Sequence, residues 1–476
     1  MDKYKKLASN TIIFAIGTFS SKILSFLLLP FITRVMSTGD FGAADLVQQT
    51  ANVLIPIVFL QVNSACLRFA LDKAADKADV FTVGVRTTCK GFAVFLLFAY
   101  PISLIRINDF YLGDYVVLIF AFTLMSGLRQ LCQQFVRGCG HVKTFSIDGI
   151  IATATYLGFT LLFLGVFKWG VNGYICAVIV SDACSVVFFF TTQKLWRYLK
   201  LKDVRKETKR SMLKYCIPMM PTVILWWIIN VSDRYMVTFF VDSSANGLYT
   251  AASKIPHFVV MFSSIFIDAW QLSAVSEYDN DDRSNFFTNV FRVYSSGVFT
   301  VSSGLILACQ IFTKILVSEL YYSSWEYVPI LIIAISLSCL VTFLSSIYMA
   351  EKKNVIAMVF ALCGTVANVV LNLLLIPVCG ATGAAISTAV SFAVVFILQR
   401  FNTKKYVKID FKMPVLLCEI FVLILQCVIM LKYQSGMKMY IFEAALFLAM
   451  VLLNGKSLIS LAQLLINRFL RRKNAE

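Results

Sequence analysis

The chain has 476 residues, of which 59% are hydrophobic and only 14% are charged. Soluble domains carry about 25% charged residues, so this composition excludes an ordinary soluble protein. The formal net charge of +17 would suggest nucleic-acid binding in a soluble domain. Here the basic residues lie in short segments between long apolar runs, which indicates membrane orientation and no nucleic-acid partner.

The apolar runs are about 20 residues long, the length that a helix needs to cross a hydrocarbon core of about 30 Å. The first run follows Lys3, Lys5 and Lys6. It is longer than a signal-peptide core and has no small-residue cleavage site, so we predict a membrane helix and not a cleaved leader. About 14 transmembrane helices are predicted in all, at residues 11–33, 46–68, 82–104, 115–136, 146–167, 171–193, 215–240, 248–272, 289–312, 327–349, 355–377, 381–400, 413–431 and 440–464.

These runs do not alternate apolar and polar residues, as the strands of a membrane β-barrel do over about ten positions. Backbone N–H and C=O groups in lipid must be satisfied within the spanning segment itself, and a helix does this. The sequence therefore predicts an all-α integral membrane protein.

Basic residues are distributed unequally between the loops. With a cytoplasmic N-terminus, the inner loops and both termini hold about 28 Lys and Arg against about six in the outer loops, which is the positive-inside pattern. The loop at 273–288 is an exception, because its acidic residues outnumber its basic residue, Arg283. Acidic residues contribute little to this rule. We predict a multi-pass protein of the inner (cytoplasmic) membrane with both termini in the cytoplasm.

An internal repeat is visible at a shift of 210 residues, which places Gly170-Val171-Asn172-Gly173-Tyr174 on Gly380-Ala381-Thr382-Gly383-Ala384. Transporters often consist of two related halves; the alternative is that glycine turns between helices look alike by chance. The repeat predicts an N-terminal six-helix bundle (1–193), a basic cytoplasmic linker (194–214), a C-terminal six-helix bundle (215–400) and two additional helices (413–464). The two bundles would be pseudo-symmetric, with a cavity between them.

Charged side chains within the spans are expensive, on the order of 3 kcal/mol at the bilayer centre, and usually face a wet cavity or each other. Lys22 lies deepest, in the middle of the first span. The others fall in the third to eighth spans: Arg86, Lys90, Arg129, Asp148, Asp182, Asp233, Arg234, Lys254, His257 and Asp268.

Cations outnumber anions in the first-half spans, and a wet cavity lined by Lys and Arg would bind an anion such as a pyrophosphate. Arg86 and Arg129 are candidates for such a cationic cavity, although both could instead reach the cytoplasmic interface by snorkelling. Asp233 and Asp268 are candidates for ion coupling or for an ion pair; Asp233 with Arg234 could also serve only to hold helices together.

The cysteine and histidine residues predict neither disulfides nor a metal site. The 13 cysteines show no paired spacing, so neither a disulfide framework nor a metal site is predicted. His141 and His257 have no neighbour at zinc-ligand spacing. We expect no cofactor and no enzymatic activity, since the outer loops are short and no catalytic constellation is present.

Several segments resemble one family of transporters in order along the chain. Asn10-Thr11, the segment 17–22 and Leu27-Leu28-Leu29-Pro30 resemble the opening of the Wzx-type polysaccharide flippases, which belong to the multidrug/oligosaccharidyl-lipid/polysaccharide exporter superfamily. The segment 37–42 resembles the first external turn of that family. The segments 232–235 and 246–255 resemble its seventh and eighth helices, and 380–385 resembles the turn before its twelfth.

The resemblance covers essentially the whole chain and implies an alternating-access fold of two six-helix bundles. It implies movement of an undecaprenyl-pyrophosphate-linked oligosaccharide from the cytoplasmic to the outer leaflet. Lys22, Arg234 and Lys254 are then candidates for the headgroup cavity. The implied partners are the lipid-linked oligosaccharide, membrane lipids, a coupling ion (Na⁺ or H⁺) and polysaccharide-assembly proteins. The open alternatives are a cation-coupled multidrug exporter of the same superfamily and a lipid II flippase.

Overall fold

The computed structural model describes residues 28–72, 75–200, 204–276, 283–351 and 353–473. Helices dominate these residues, and two short strands form one hairpin. In chain order the elements are α1 (Leu29–Val35), α2 (Thr38–Val58), α3 (Val62–Ala70), α4 (Lys77–Leu96), α5 (Ala99–Ser103), β1 (Arg106–Ile107), β2 (Phe110–Tyr111), α6 (Val116–Gly138), α7 (Val142–Thr160), α8 (Gly170–Gln193), α9 (Lys206–Cys216), α10 (Met220–Phe240), α11 (Ser243–Lys254), α12 (His257–Ser276), α13 (Arg283–Leu307), α14 (Cys309–Leu316), α15 (Val328–Ala350), α16 (Asn354–Thr403), α17 (Met413–Tyr433) and α18 (Met437–Lys473).

The predicted all-α membrane fold is confirmed. Every predicted span from the second onward falls on described helices, whereas most of the first span lies outside the described residues. Within the described part of the chain, nine helices are long and apolar enough to cross a membrane, or ten if α2 and α3 count as one broken span. One of the nine is α16, which carries the eleventh and twelfth predicted spans together.

Breaks divide several of the predicted spans, and each has a local cause. The axes of α2 and α3 differ by 58°, because Leu60 and Gln61 between them adopt left-handed backbone conformations. Pro218 lies in a 3₁₀ turn that separates α9 from α10. Pro256 lies between α11 and α12. A proline ring removes a backbone donor and clashes with the preceding turn, so the helices break at these prolines.

The first glycines of the two aligned turns have similar φ angles. Gly170 and Gly380 both have positive φ, 54° and 58°, in the left-handed region that glycine enters without a steric penalty. A side chain at Gly173 would lie 3.1 Å from the carbonyl oxygen of Phe163, and one at Gly383 would meet the carbonyl oxygen of Leu375. Gly173 therefore lets the start of α8 approach the end of the preceding helix. Gly383 likewise lets the second half of α16, after the break at Gly380, approach the end of the first half.

The described residues divide into two compact units. The first unit runs as far as Leu248 and includes Leu316–Leu320, and the second comprises Tyr249–Ile315 and the chain from Tyr321 onward. In the first unit α10 packs against α2, and the unit boundary falls after the seventh predicted span. The two pseudo-symmetric bundles remain a prediction.

The hairpin lies in a loop predicted to be external and fixes the connection between α10 and α11. The side-chain amide of Asn108, at its tip, donates to the carbonyl oxygen of Val241 at 2.8 Å. The Asp109 carboxylate accepts from the backbone N–H of Ser243 at 3.1 Å. These bonds satisfy backbone groups at a helix end and a helix start, where helices leave them unpaired.

Large apolar side chains lie on the outer surfaces of both units. Leu97 is 77% exposed in the first unit, and Val378 and Leu452 are about 80% exposed in the second. Lipid tails are as apolar as leucine, so such surfaces suit contact with acyl chains.

Candidate functional site

The most deeply buried ion pair among the described residues joins α2 to α10 in the first unit. The Arg234 guanidinium donates to Oδ1 of Asp45. The side chain of Asp45 is 5% exposed and that of Arg234 is 11% exposed. Sequence reasoning singled out Arg234 as a headgroup ligand, and the structure adds its carboxylate partner.

The local sequence explains how Asp45 reaches this depth. The Ser37 hydroxyl accepts a hydrogen bond from the backbone N–H of Asp40 at 3.1 Å, which is the N-cap arrangement that starts a helix. Helix α2 therefore begins at Thr38, about two turns before Asp45, at 3.6 residues per turn. The segment 37–42, interpreted from the sequence as an external turn, is the cap and first turn of this helix.

Both partners are charged groups removed from water, which is costly unless their remaining polar atoms are satisfied. Oδ2 of Asp45 has no hydrogen-bond partner among the described residues. The ion pair therefore satisfies one of the two carboxylate oxygens of Asp45.

Polar contacts on either side of the pair hold the same helices together. The hydroxyl groups of Thr50, on α2, and Tyr235, on α10, lie 2.8 Å apart. The side-chain amide of Asn246, on α11, donates to the carbonyl oxygen of Gly42 at 3.0 Å. The pair thus lies within a larger contact between α2 and the segment 234–247.

Glycines make this contact possible. A side-chain carbon at Gly42 would collide with the carbonyl oxygen of Ser243, and one at Gly247 would collide with that of Thr38. Each helix start therefore packs on the other at backbone distance, a closeness that only residues without Cβ allow. We name this contact the glycine latch (Thr38–Gly42 with Ser243–Gly247); the loop charges predict that it lies on the external side.

A second ionic cluster joins three helices of the first unit. Arg129, on α6, donates to Asp148 of α7 at 3.2 Å and to Asp182 of α8 at 2.7 Å. Asp182 also accepts from the Ser126 hydroxyl. The Arg129 side chain is 24% exposed and that of Asp148 is fully buried. Arg129, a candidate cavity cation, is thus engaged by two carboxylates that tie α6, α7 and α8 together.

The remaining predicted site residues are distributed over several helices. Arg86 is exposed on α4, where it donates to the carbonyl oxygen of Lys200 at 2.8 Å. Asp233 is buried, and its carboxylate accepts from the backbone N–H of Arg234 at 2.9 Å. Lys254 is half-buried at the end of α11, in the second unit. Lys22 lies outside the described residues, and Asp268 lies on α12 with a side chain outside them.

Sequence reasoning missed Asp45 because it assigned residues 34–45 to a loop. The available signal was Ser37 followed three residues later by Asp40, a pattern typical of helix starts, which moves the start of the helix to Thr38. The partnership with Arg234 had no signal, since the two residues are 189 positions apart.

Several membrane-length helices with ion pairs buried among them are typical of a polytopic membrane protein. Residues 7–271, more than half of the chain, match the family model described as "Polysaccharide biosynthesis protein". The chain therefore belongs to this family of membrane proteins.

Known relatives agree with this assignment. The chain is 23% identical over 425 residues, 85% of each sequence, to a protein of Haloferax volcanii named "Probable low-salt glycan biosynthesis flippase Agl15". The fold of this chain is similar to that of a solved structure described as the lipid II flippase MurJ in an inward closed conformation. The TM-score is 0.70 at 15% identity, and the match covers 96% of this chain and all of the other.

The fold is also similar to an inward-facing multidrug resistance MATE transporter of the MOP superfamily. The TM-score is 0.62 at 12% identity, covering 82% of this chain and 98% of the other. These comparisons confirm the resemblance to the exporter superfamily that the sequence motifs indicate.

Proposed function

We propose that this protein is a flippase that moves an undecaprenyl-pyrophosphate-linked oligosaccharide, such as an O-antigen, capsule or exopolysaccharide repeat unit, across the cytoplasmic membrane by alternating access. The observation that carries the proposal is the family match at 7–271, a segment that contains both buried ionic clusters of the first unit. The relative named as a glycan biosynthesis flippase supports the same substrate class.

Arg234 is the residue on which the proposed mechanism depends. In the described state Asp45 supplies the anion that a buried guanidinium requires. A pyrophosphate presents more oxygens and more negative charge than one carboxylate, and guanidinium–phosphate contacts are strong bidentate hydrogen bonds. The headgroup would therefore displace Asp45 from Arg234 and loosen the attachment of α2 to α10.

This exchange links substrate binding to a change of conformation. The Asp45–Arg234 pair lies beside the glycine latch, so loss of the pair weakens the contact that holds the two helix starts together. A ligand can shift a conformational equilibrium only through such a difference in affinity for the two states. The lipid tail would remain in the bilayer throughout.

The other elements of the proposal follow from the sequence. Lys22 and Lys254 are proposed as further headgroup ligands, and Asp233 and Asp268 as positions at which Na⁺ or H⁺ couples to the step. Both termini would lie in the cytoplasm, and the protein would act without catalysis beside the enzymes of polysaccharide assembly.

Gene deletion and complementation test this proposal. We expect the deletion strain to lose surface polysaccharide and to accumulate the lipid-linked oligosaccharide at the cytoplasmic face. The wild-type gene should restore the polysaccharide, whereas Arg234→Ala should not. Lys404→Gln, on an exposed loop residue, is the matched control and should restore it.

Two other outcomes would contradict the proposal. A change in drug resistance with unchanged polysaccharide would identify a multidrug exporter. Lethality or altered cell shape, with accumulation of lipid II, would identify a lipid II flippase.

A further inference from the structure

The basic linker between α8 and α10 contains two groups of cations with different surroundings. Its first group, Lys200 and Arg205, is neutralised by acidic residues at the start of α4. Lys200 Nζ lies 2.6 Å from Asp76 and 2.8 Å from Asp79, and Arg205 Nε lies 2.9 Å from Asp79.

Backbone bonds reinforce this anchor. The Thr82 hydroxyl donates to the carbonyl oxygen of Tyr198 at 2.9 Å and accepts from the backbone N–H of Lys200 at 2.9 Å. The linker is thus fixed to α4 immediately before α9 begins. Helix α9 is consequently held in a defined orientation.

The second group of cations lies on α9 itself. Lys206, Arg210 and Lys214 are exposed and four residues apart, so they form a stripe along one side of the helix. Met212 and Cys216, toward the other side, are fully buried. None of the three basic side chains forms an ion pair with a residue that the structure describes, although Glu207 is close in sequence.

Exposed apolar and aromatic side chains lie in the turn that precedes α9 and at the end of α9. Trp196 is 50% exposed, and Tyr215 and Ile217 are 39% and 47% exposed. Tryptophan and tyrosine favour the level of the lipid headgroups, where one part of the ring is apolar and the other is wet. Cations beside such residues are typical of helices that lie in a membrane interface.

Membrane orientation alone does not require this arrangement. The positive-inside rule depends on how many Lys and Arg lie near the spans, and an unstructured loop would satisfy it. Here the linker is anchored through Lys200 and Arg205, and three of its other cations are aligned on one helix at the cytoplasmic end of α10.

We propose that α9, with Trp196, Tyr215 and Ile217, is a binding surface for the anionic headgroups of phospholipids in the cytoplasmic leaflet. Lys206, Arg210 and Lys214 contact the phosphates, and the flanking apolar side chains enter the headgroup–acyl boundary. The surface fixes the linker to the leaflet, and it is independent of the substrate carried.

Native mass spectrometry of the detergent-solubilised full-length protein tests this inference, with dioleoylphosphatidylglycerol as the probe and dioleoylphosphatidylcholine as the neutral comparison. Wild type should bind the anionic lipid more tightly. Lys206→Gln/Arg210→Gln/Lys214→Gln should weaken its binding on the order of a hundredfold, since each cation near an anionic surface contributes roughly fivefold. Binding of the neutral lipid should not change.

The matched control is Lys404→Gln/Lys405→Gln/Lys408→Gln, which removes three exposed cations from another predicted cytoplasmic loop. It should retain the wild-type preference for the anionic lipid. Equal loss of anionic-lipid binding in the control would show that total charge, and not α9, determines binding. Wild-type binding of the anionic lipid by the α9 variant would also overturn the proposal.

A competition arm distinguishes the lipid surface from a phosphate site. Inorganic pyrophosphate at millimolar concentration should leave phosphatidylglycerol bound, because the flanking apolar contacts are unavailable to it. Displacement by pyrophosphate would assign α9 to soluble or substrate phosphate and contradict the lipid assignment. Unchanged melting temperatures would verify that each variant is folded.

Discussion

The two units satisfy their buried acidic groups in different ways. In the first unit Asp45 has an arginine partner, and Asp148 and Asp182 share Arg129. In the second unit Glu443 is fully buried on α18 and accepts a hydrogen bond from the Gln426 amide of α17 at 2.9 Å.

Gln426 in turn accepts from the Ser303 hydroxyl of α13 at 2.7 Å. Within the described residues of the second unit the ion pair that does occur, Arg292 with Asp410 at 3.8 Å, is partly exposed. The second unit thus uses uncharged amide and hydroxyl partners where the first unit uses buried cations.

This difference indicates which unit could exchange a carboxylate partner for another anion. A guanidinium keeps its positive charge when its carboxylate is displaced, so it can accept another anion. An amide that loses its carboxyl partner offers a new anion much less. The first unit is therefore the one whose described buried groups suit a pyrophosphate.

The largest expected effect comes from separating the buried ion pair. Arg234→Ala leaves Asp45 charged and without its partner, which should lower the free energy of unfolding by about 3–5 kcal/mol. Denaturant unfolding in detergent measures this loss. The double variant Asp45→Asn/Arg234→Gln replaces the pair by neutral amides and should recover most of the stability while transport stays abolished. Normal transport by the double variant would show that Arg234 only holds helices together.

A smaller loss should follow from filling the glycine latch. Gly247→Ala places a methyl group against the carbonyl oxygen of Thr38, and overpacking of this kind typically costs about 1–3 kcal/mol. The measurement is again the free energy of unfolding. Gly158→Ala is the matched control in the same unit, since a side chain there would meet no atom within 4 Å. An equal effect of both substitutions would refute the latch.

Replacing the Glu443 carboxyl group of the second unit by an uncharged amide should change the free energy of unfolding little. Glu443→Gln keeps an oxygen that can accept from Gln426, so we expect a change below about 1 kcal/mol. Glu443→Ala removes that acceptor and should cost about 1–3 kcal/mol. If Glu443→Gln destabilised the protein as much as Arg234→Ala, then Glu443 would be a buried charge and the contrast between the units would fail.

The smallest effect concerns the partly exposed pair of Lys200 and Asp76 that helps to anchor the linker, and it depends on pH. The hydrogen bond from Lys200 lowers the pKa of Asp76, and the same bond raises the pKa of Lys200. Pairs of this kind near the surface contribute little to stability. The contribution is complete between about pH 4 and pH 10, the unfolded-state values of the two groups.

The contribution should disappear as the pH falls through the lowered pKa of Asp76 or rises through the raised pKa of Lys200. Comparing the unfolding of wild type and Lys200→Met across pH measures it, and the difference should also shrink in high salt. A difference that grew below pH 4 would contradict this assignment.

The sequence predicts the helical class because apolar runs of membrane length leave few alternatives in lipid. It also predicts the turns at Gly170 and Gly380, since a positive φ restricts the residue type. The start of α2 was misplaced because an N-cap carries a weaker signal than a hydrophobic run. The hairpin at 106–111 was missed because so short a ladder leaves no periodicity.

The candidate site was predicted only in part. Arg234 is conspicuous because a charge within an apolar span is rare, but Asp45 is distant in the sequence and could not be assigned to it. Arg129, Asp148 and Asp182 were all noticed as intramembrane charges, yet their mutual pairing depends on how α6, α7 and α8 pack. Linear sequence identifies such costly residues and does not specify their partners.

The central claim is that the buried Arg234 binds the pyrophosphate of a lipid-linked glycan. The most direct measurement is flipping of a fluorescent undecaprenyl-pyrophosphate oligosaccharide in proteoliposomes containing wild type or Asp45→Asn/Arg234→Gln. We predict rapid flipping by wild type and at least tenfold slower flipping by the folded double variant. Equal rates for the two proteins, or no flipping by wild type, would contradict the account.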